Sequence, residues 1–503
     1  MRTLSVRADA GVAMGTGHVM RCLALAQAWQ DEGGDVLFAM AQRQPAIEAR
    51  LRSEGVLVVA VKAEAGTSQD VAETIGVAWR HGAQWVVVDG YQFDAKYQAD
   101  VKRAGLKVLF VDDSGHARDY AADIVLNQNA HARSEIYASR HAQTRLLLGP
   151  RYALLRREFR GLRDLHRKIT EQARKVLVTM GGSDPENLTL RAMEALELIN
   201  VDRLEAVVVV GSSNPHASLL RAAVGNSRKN IRLLTDVSNM SEWMKWAEVA
   251  ISAAGSTCWE ICYFGLPAVL VDFAPNQTPL AEELNRLGAA VHLGNAASVV
   301  PKAMADSLQK LMSSPEQRAA VSCRASELVD GGGADRVVAA INSIDLHVRP
   351  VEQDDCRQLW EWANDHDTRR VSFSPDQIRW EDHVTWFTQK FRDVDAKLYL
   401  AVDAAQSPVG CVRYQIEGDR ALVSISVAPH LRGRGYGSVM LGLANQRLFG
   451  TTRARVVDAY VKMENAASIK LFAAAGFTRQ ADTTVAGQEA AYFTLEKNGL
   501  KNG

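Results

Sequence analysis

The sequence predicts an α/β protein: two doubly wound parallel-sheet units in succession, then a smaller α/β domain. Three observations predict it. Short apolar runs rich in β-branched residues alternate with helical stretches: VLFAM (36–40), VLVVAV (56–61), WVVVDGY (85–91), KVLFVDD (107–113) and ADIVLN (122–127). Strands buried on both faces by crossover helices read this way. The alternation restarts at 175 with KVLVTMGGSDPENLTLRAMEAL. Near 346 it gives way to a proline, aromatic-rich amphipathic helices and a strand meander.

At 503 residues the chain has room for about three domains. Boundaries are expected at 1–150, 151–345 and 346–498. Basic and acidic residues balance at 58 each, so nothing in the charge points to nucleic acid or an anionic membrane. MRTLSVRADAG lacks the apolar core of a signal peptide, and no apolar run is long enough to cross a bilayer. The six cysteines are scattered without a zinc pattern, which fits a reducing cytoplasm. No cluster suggests a metal.

In the first unit, strand residues Leu4 and Val6 lead into RADAGVAMGTGHVMR (7–21). Small residues there let backbone N–H groups approach a ligand, and the following helix adds a positive dipole end. His18 follows Gly15 and Gly17 directly. The dipole end and desolvation both disfavour imidazolium, which suits a neutral base near pH 7. The other reading is a polar residue near a helix start. Met20 stands where a dinucleotide fingerprint needs a third glycine. Asp89, Tyr91, Asp112, Asp113, Asn127 and Asn129 cluster where strands end, the ligand side of open α/β sheets, although each also suits a turn or cap. GPRYALLRREF (149–159) leaves this unit, and 160–174 read as a link.

In the second unit the Gly181-Gly182 turn opens a helix, with Ser183 and Asp184 as caps and Pro185 in its first turn. That geometry serves a phosphate or a plain βα turn equally. LEAVVVVG (204–211), NIRLLT (230–235), AEVAIS and AVLVDF continue the sheet. AAGST opens a short helix carrying Glu260, placed to accept ribose hydroxyls, and Asn276-Gln277 begin the next helix. Two such units with a cleft between them form the GT-B arrangement of sugar-nucleotide enzymes. ELVDGGGADRVVAAINSI (327–344) supplies a last helix.

In the third unit KLYLAVD, PVGCVRYQIEG and ALVSISVAP form a meander with turns at 403–407 and 417–420. It runs into Arg432-Gly433-Arg434-Gly435-Tyr436-Gly437, where N–H groups can face a pyrophosphate ahead of a helix at 438–449. Asn465 either caps its helix or faces a thioester.

ISVAPHLRGRGYGSVML and NAASIKLFAAAGF resemble the GNAT N-acetyltransferases. The resemblance implies acetyl-CoA bound by Val427, Arg432, Arg434, Gly435, Tyr436 and Gly437, with Asn465 beside the reacting end. Phe472 stands where many members carry the tyrosine that protonates the leaving thiolate. Glu417 and His383 are candidates for the amine's base.

RADAGVAMGTGHVMRCLALA, VVVDGY, VDDSGH, YALLRREF, VTMGGSDPENLT, AAGSTCWEICYFGLP and NQ resemble the UDP-2,4-diacetamido-2,4,6-trideoxy-β-L-altropyranose hydrolases of pseudaminic acid biosynthesis. The resemblance puts the catalytic histidine at His18. It puts uridine and diphosphate contacts at Gly181, Gly182, Ser183, Ser256, Thr257 and Glu260. Gly17, Arg21, Asp89, Tyr91, Asn276 and Gln277 complete the expected substrate site. A GNAT protein supplies the preceding 4-N-acetylation in that pathway, and HVTWF (383–387) resembles that branch. One chain would then acetylate a UDP-amino sugar and hydrolyse the product, with no metal. The alternatives are a glycosyltransferase or hydrolysing 2-epimerase on the same fold, or a non-catalytic sugar-nucleotide sensor.

Overall fold

Seven strands form the first sheet: β1 (Thr3–Ala8), β2 (Asp35–Met40), β3 (Leu57–Ala60), β4 (Ala83–Asp89), β5 (Lys107–Val111), β6 (Ile124–Asn127) and β7 (Arg145–Leu148). Their order is β3-β2-β1-β4-β5-β6-β7, all parallel. In this computed structural model, residues 2–11, 15–162, 167–182, 184–211, 214–235, 237 and 239–497 are described. The chain divides into two units, 1–337 and 338–503. The first holds two sheets, hence two lobes.

The second sheet comprises β8 (Lys175–Thr179), β9 (Glu205–Val210), β10 (Asn230–Thr235), β11 (Val249–Ala253), β12 (Ala268–Asp272) and β13 (Val291–Asn295). Its order is β10-β9-β8-β11-β12-β13, again parallel. The near-continuous apolar runs are explained by two-sided burial. Val176 and Val178 of β8 enter one core while Leu177 between them enters the other.

Two strands of the first unit escaped the sequence reading. β7 has only four residues, and β13, VHLGN, is only half-buried, so neither carries a long apolar signal. The helix expected at Pro185 starts instead at Leu188 and runs to Leu198. Asp184 and Asn187 adopt left-handed φ values of 42° and 52°, which turns the chain before helix can begin.

Each sheet reverses its strand order once, between β1 and β4 and between β8 and β11. Crevices open at the carboxyl ends of strands at such points. The loops and helix starts after these four strands carry His18, Tyr91, Gly181-Gly182 and Ser256-Thr257.

The second unit is built on β14 (His347–Pro350), β15 (Ala396–Val402), β16 (Pro408–Glu417), β17 (Arg420–Val427), β18 (Val456–Lys462), β19 (Thr478–Arg479), β20 (Thr483–Val485) and β21 (Gln488–Glu496). The order is β14-β15-β16-β17-β18-β21-β19, with β20 on β21. Only β17 and β18 run parallel. They pair at Arg420↔Val456, Ala421↔Val457 and Leu422↔Asp458 and then part. The helix Tyr436–Thr451 packs Met440, Leu441, Ala444 and Leu448 onto one face. Leu359, Trp362 and Phe387, from helices Cys356–Ala363 and Trp380–Arg392, cover part of the other.

Close backbone approach fixes one glycine. A Cβ at Gly211 would sit 2.3 Å from the carbonyl oxygen of Gly182. Gly211→Ala should therefore lower unfolding stability by about 1–3 kcal/mol, the usual cost of overpacking. Gly76→Ala, on an open face of helix Ser68–Arg80, should stabilise by about 0.5–1 kcal/mol. Denaturant melts of the two variants check the contrast.

Candidate functional site

The first lobe's crevice is organised by a buried cation. Arg21 lies on the inner face of helix Gly17–Asp31 and donates to both oxygens of Asp89 at 2.7 Å and to Asp113 at 2.6 Å. Burial alone would lower its pKa, but the two carboxylates hold it well above the ordinary arginine value. Burial pushes Asp113 up, and the adjacent Arg21 overturns this and holds it well below the usual carboxylate range. Cys22 donates its thiol to Asp89 at 3.3 Å. Arg21 and Asp89, expected to touch substrate, are thus spent on each other: both are buried and form the wall behind the site.

His18 stands in front of this wall, 8% exposed. Its Nδ1 is buried, makes no hydrogen bond among the described residues and lies 3.9 Å from Asp89. A proton on Nδ1, on the side of that carboxylate, would leave Nε2 as the accepting nitrogen. Burial lowers the imidazole pKa, and this outweighs the opposing pull of Asp89. The Tyr91 ring meets His18 edge-on at 5.3 Å. Tyr91, 41% exposed, donates to Asp113 at 2.9 Å and accepts from Asn276 of the second lobe at 2.7 Å. A hydrogen-bond relay therefore runs from Asn276 through Tyr91 and Asp113 to Arg21 and Asp89.

The second lobe approaches the same place. A Cβ on Gly17 would lie 3.6 Å from Ser256 Oγ, and one on Gly182 would lie 2.7 Å from Thr16 Oγ1. Gly181 is left-handed at φ 82° with open space beside it. The hydroxyls of Ser256 and Thr257, where helix Thr257–Tyr263 starts, make no hydrogen bond among the described residues. Ser183 lies outside the described residues.

Two expectations for this lobe change. The carboxylate of Asp184 accepts from the amides of Leu188 and Thr189 and from the Thr189 hydroxyl, so it occupies the helix start that was expected to hold phosphate. Gln277 stands at the N-cap position of its helix without capping it, and its side-chain oxygen is engaged by Phe273 N at 3.2 Å. Glu260 accepts from Arg156 at 2.9 Å, and burial nevertheless raises its pKa. Arg156 had no foreseen role. Its only sequence signal was its place in YALLRREF.

In the second unit, Val427 ends β17 where β18 has diverged. Gly433 and Gly435 are left-handed, at φ 76° and 93°, and turn the loop into the helix. A Cβ on Gly437 would reach Leu471 at 2.9 Å, so that glycine allows close helix packing. The parted strands and this loop fit an extended thioester cofactor with a pyrophosphate. Several side chains expected there are otherwise engaged. Arg432 bonds Asp365, the Thr368 hydroxyl at 2.8 Å and the Val427 carbonyl at 3.2 Å. The Tyr436 ring is in the core, and Arg434 is half-buried. Asn465 caps its own helix, accepting from Ser468 N at 3.1 Å.

Neither candidate base of the acetyltransferase is placed for that work. His383 is buried, bonded to the Cys356 carbonyl at 3.0 Å and lined by Trp380, Trp386 and Phe387. Glu417 sits at the β16–β17 hairpin, the far end of β17 from Val427. Phe472 packs on Phe477 and Phe493 in the core. Among the described residues no group of three or more His, Cys, Asp or Glu could hold a metal ion, and no helix is long and apolar enough to cross a membrane.

The two facing parallel sheets and the split antiparallel sheet define a GT-B-like nucleotide-sugar part followed by a GNAT acetyltransferase domain. Residues 176–332 match the family model for the glycosyltransferase family 28 C-terminal domain, and residues 345–478 match that for the acetyltransferase (GNAT) domain. The chain is 23% identical to an uncharacterized protein of Methanocaldococcus jannaschii, across 95% of this chain and 96% of that one. It is 27% identical to the spore coat polysaccharide biosynthesis protein SpsG of Bacillus subtilis, over 47% of this chain and 69% of that protein. It is 26% identical to UDP-2,4-diacetamido-2,4,6-trideoxy-beta-L-altropyranose hydrolase of Campylobacter jejuni, over 56% of this chain and 96% of the hydrolase. Among solved structures, MurG of Acinetobacter baumannii aligns over 68% of this chain and 99% of its own, at 15% identity and a TM-score of 0.49.

Arg21→Met would leave two buried carboxylates without their counter-ion. We expect a stability loss of about 3–5 kcal/mol, the usual cost of breaking a buried ion pair from one side, seen as a lower denaturation midpoint. An unchanged midpoint would count against the central role of this cation.

Proposed function

We propose that the chain is a bifunctional enzyme of pseudaminic acid biosynthesis. Its second unit acetylates the 4-amine of UDP-4-amino-4,6-dideoxy-N-acetyl-β-L-altrosamine. Its first unit hydrolyses the product, UDP-2,4-diacetamido-2,4,6-trideoxy-β-L-altropyranose, to UDP and free sugar. The observation that carries the hydrolase reading is His18: an imidazole at the inter-lobe crevice whose pKa burial lowers, with Asp89 3.9 Å from Nδ1 and the Tyr91 ring edge-on beside it. Similarity to the Campylobacter jejuni hydrolase supports it.

In this reading water attacks the anomeric carbon as His18 Nε2 takes its proton. The carbon–oxygen bond to UDP breaks on the opposite face, and configuration inverts. Peptide groups at Gly181-Gly182 and the Ser256 and Thr257 hydroxyls receive the diphosphate charge as it develops. Glu260, positioned by Arg156, takes the ribose hydroxyls. Asn276 and Tyr91 hold the sugar against His18. No step calls on a metal. In the second unit the loop at Gly433–Gly437 and the gap beside Val427 take acetyl-CoA, which supplies the activated acetyl group when bound. The 1–150, 151–345 and 346–498 divisions are the working parts in this scheme, and the cytoplasm is its compartment.

Incubation with the UDP-amino sugar, with and without acetyl-CoA, followed by mass spectrometry, tests the scheme. Wild type should yield UDP and the diacetamido sugar when acetyl-CoA is present. His18→Asn should accumulate the acetylated UDP-sugar, with hydrolysis reduced by roughly 10²–10⁴-fold, the usual worth of a general base. Equal loss of both activities would overturn the division of labour.

The pH dependence of hydrolysis follows from burial of His18. The base must be unprotonated, and its pKa is lowered. The acid limb of kcat/KM should therefore fall below the ordinary histidine value of about 6.5. A limb above that value would point to a different base.

A further inference from the structure

One face of the second unit's sheet holds a cation without a counter-charge. Val412, Tyr414 and Ile416 of β16 point into the core with the helix Tyr436–Thr451, so Arg413 points to the opposite face. Its guanidinium lies 5.1 Å from the Trp386 ring, and Nη2 donates to Ser424 Oγ at 2.9 Å. Among the described residues, Arg413 has no carboxylate within ion-pair distance. Other arginines of this unit do: Arg349 pairs with Asp355, Arg420 with Asp458, Arg432 with Asp365 and Arg453 with Asp395. A guanidinium carries five N–H donors, and this one spends few of them.

Its surroundings are of one character. Arg369 gives its donors to the carbonyls of Ala363, Ser374 and Asp376 and to the Ser372 hydroxyl, so it too meets no carboxylate. Burial lowers the Arg369 pKa, and repulsion from Arg413 adds to this. Ser426, two residues beyond Ser424 on β17, has a buried hydroxyl with no partner. A partly desolvated cation and an unsatisfied hydroxyl on one sheet face cost stability unless a ligand completes them.

The placement also suits an acceptor. From Ser424 to Val427, where β17 and β18 have parted, is about 10 Å along the strand. That span accommodates a sugar ring with its amine at the gap and its phosphate at Arg413.

We infer that Arg413, with Ser424, Ser426 and Trp386, binds the diphosphate of the acceptor, so that acetyl transfer selects amines carried on a nucleotide sugar over free amino sugars and polyamines. The planar fork suits two phosphate oxygens at once. The positive face repels a polyamine. This inference rests on reading the second unit as a nucleotide-sugar acetyltransferase, and names the residue that makes it one.

The full-length protein tests it, with CoA release as the readout. UDP should compete with the UDP-linked amine. Arg413→Met should raise KM for that amine about tenfold or more, the worth of a charge-assisted hydrogen bond, and leave KM for acetyl-CoA unchanged, which also shows a folded site. Arg413→Lys should recover part of the loss. The same amino sugar without UDP should be a poor acceptor, equally so for wild type and Arg413→Met. No competition by UDP, or an unchanged KM for the UDP-linked amine in Arg413→Met, would overturn the inference while leaving the acetyltransferase reading intact. If the altrosamine is refused but another UDP-amino sugar is accepted with the same Arg413 dependence, the inference stands and the pathway assignment falls.

Discussion

Arg21 between Asp89 and Asp113 is the constraint on which the first unit's crevice depends. Three charges taken from water are tolerable only because each meets its opposite at hydrogen-bond distance. Asp89 comes from the end of β4, Asp113 follows β5 and Arg21 comes from the first helix. The triad therefore fixes that helix against two strands. His18 sits one turn before Arg21 on the same helix, so its distance from Asp89 is set by the same contact. Tyr91 is fixed through Asp113, and Asn276 through Tyr91. The second lobe is thus tied to a buried cation in the first.

Much of this fold was legible because parallel strands buried on both faces leave long β-branched runs. Most strands of the first unit showed that way, as did the meander and glycine loop of the second. What could not be read follows from the same physics. β13 is half-buried and carries a polar sequence, so no apolar run marks it. The late start of the helix at Leu188 depends on two left-handed residues, a backbone choice that Asp and Asn permit without announcing. The site was legible in its membership more than in its roles. The strand-end positions of Asp89, Tyr91 and Asp113 were visible, but a sequence does not tell whether a carboxylate faces substrate or an arginine behind it. Asp89, Glu260 and Arg432 all proved to be paired with protein groups.

The second unit shows how a sheet can be held open. β17 and β18 share three residue pairs, and each then continues against a different antiparallel neighbour. Those neighbours stabilise the diverging ends that no longer support each other. Arg432 ties the glycine loop to Asp365 and Thr368, the N-cap and a residue of the short helix His366–Arg370. The Arg432 side chain thus anchors the loop.

The glycine contacts around residue 182 have a further consequence. A side-chain carbon at Gly211 would meet the Gly182 carbonyl, one at Gly182 would meet Thr16, and one at Gly17 would approach Ser256. Four loops from two sheets therefore meet at close spacing, and where Gly211 faces Gly182 that spacing is set by bare backbone, a gauge that a substitution there cannot narrow without pushing a wall aside. Descendants of this protein that come to prefer a bulkier or smaller sugar must change the residues that project into the crevice, since the thickness of its frame is not theirs to vary.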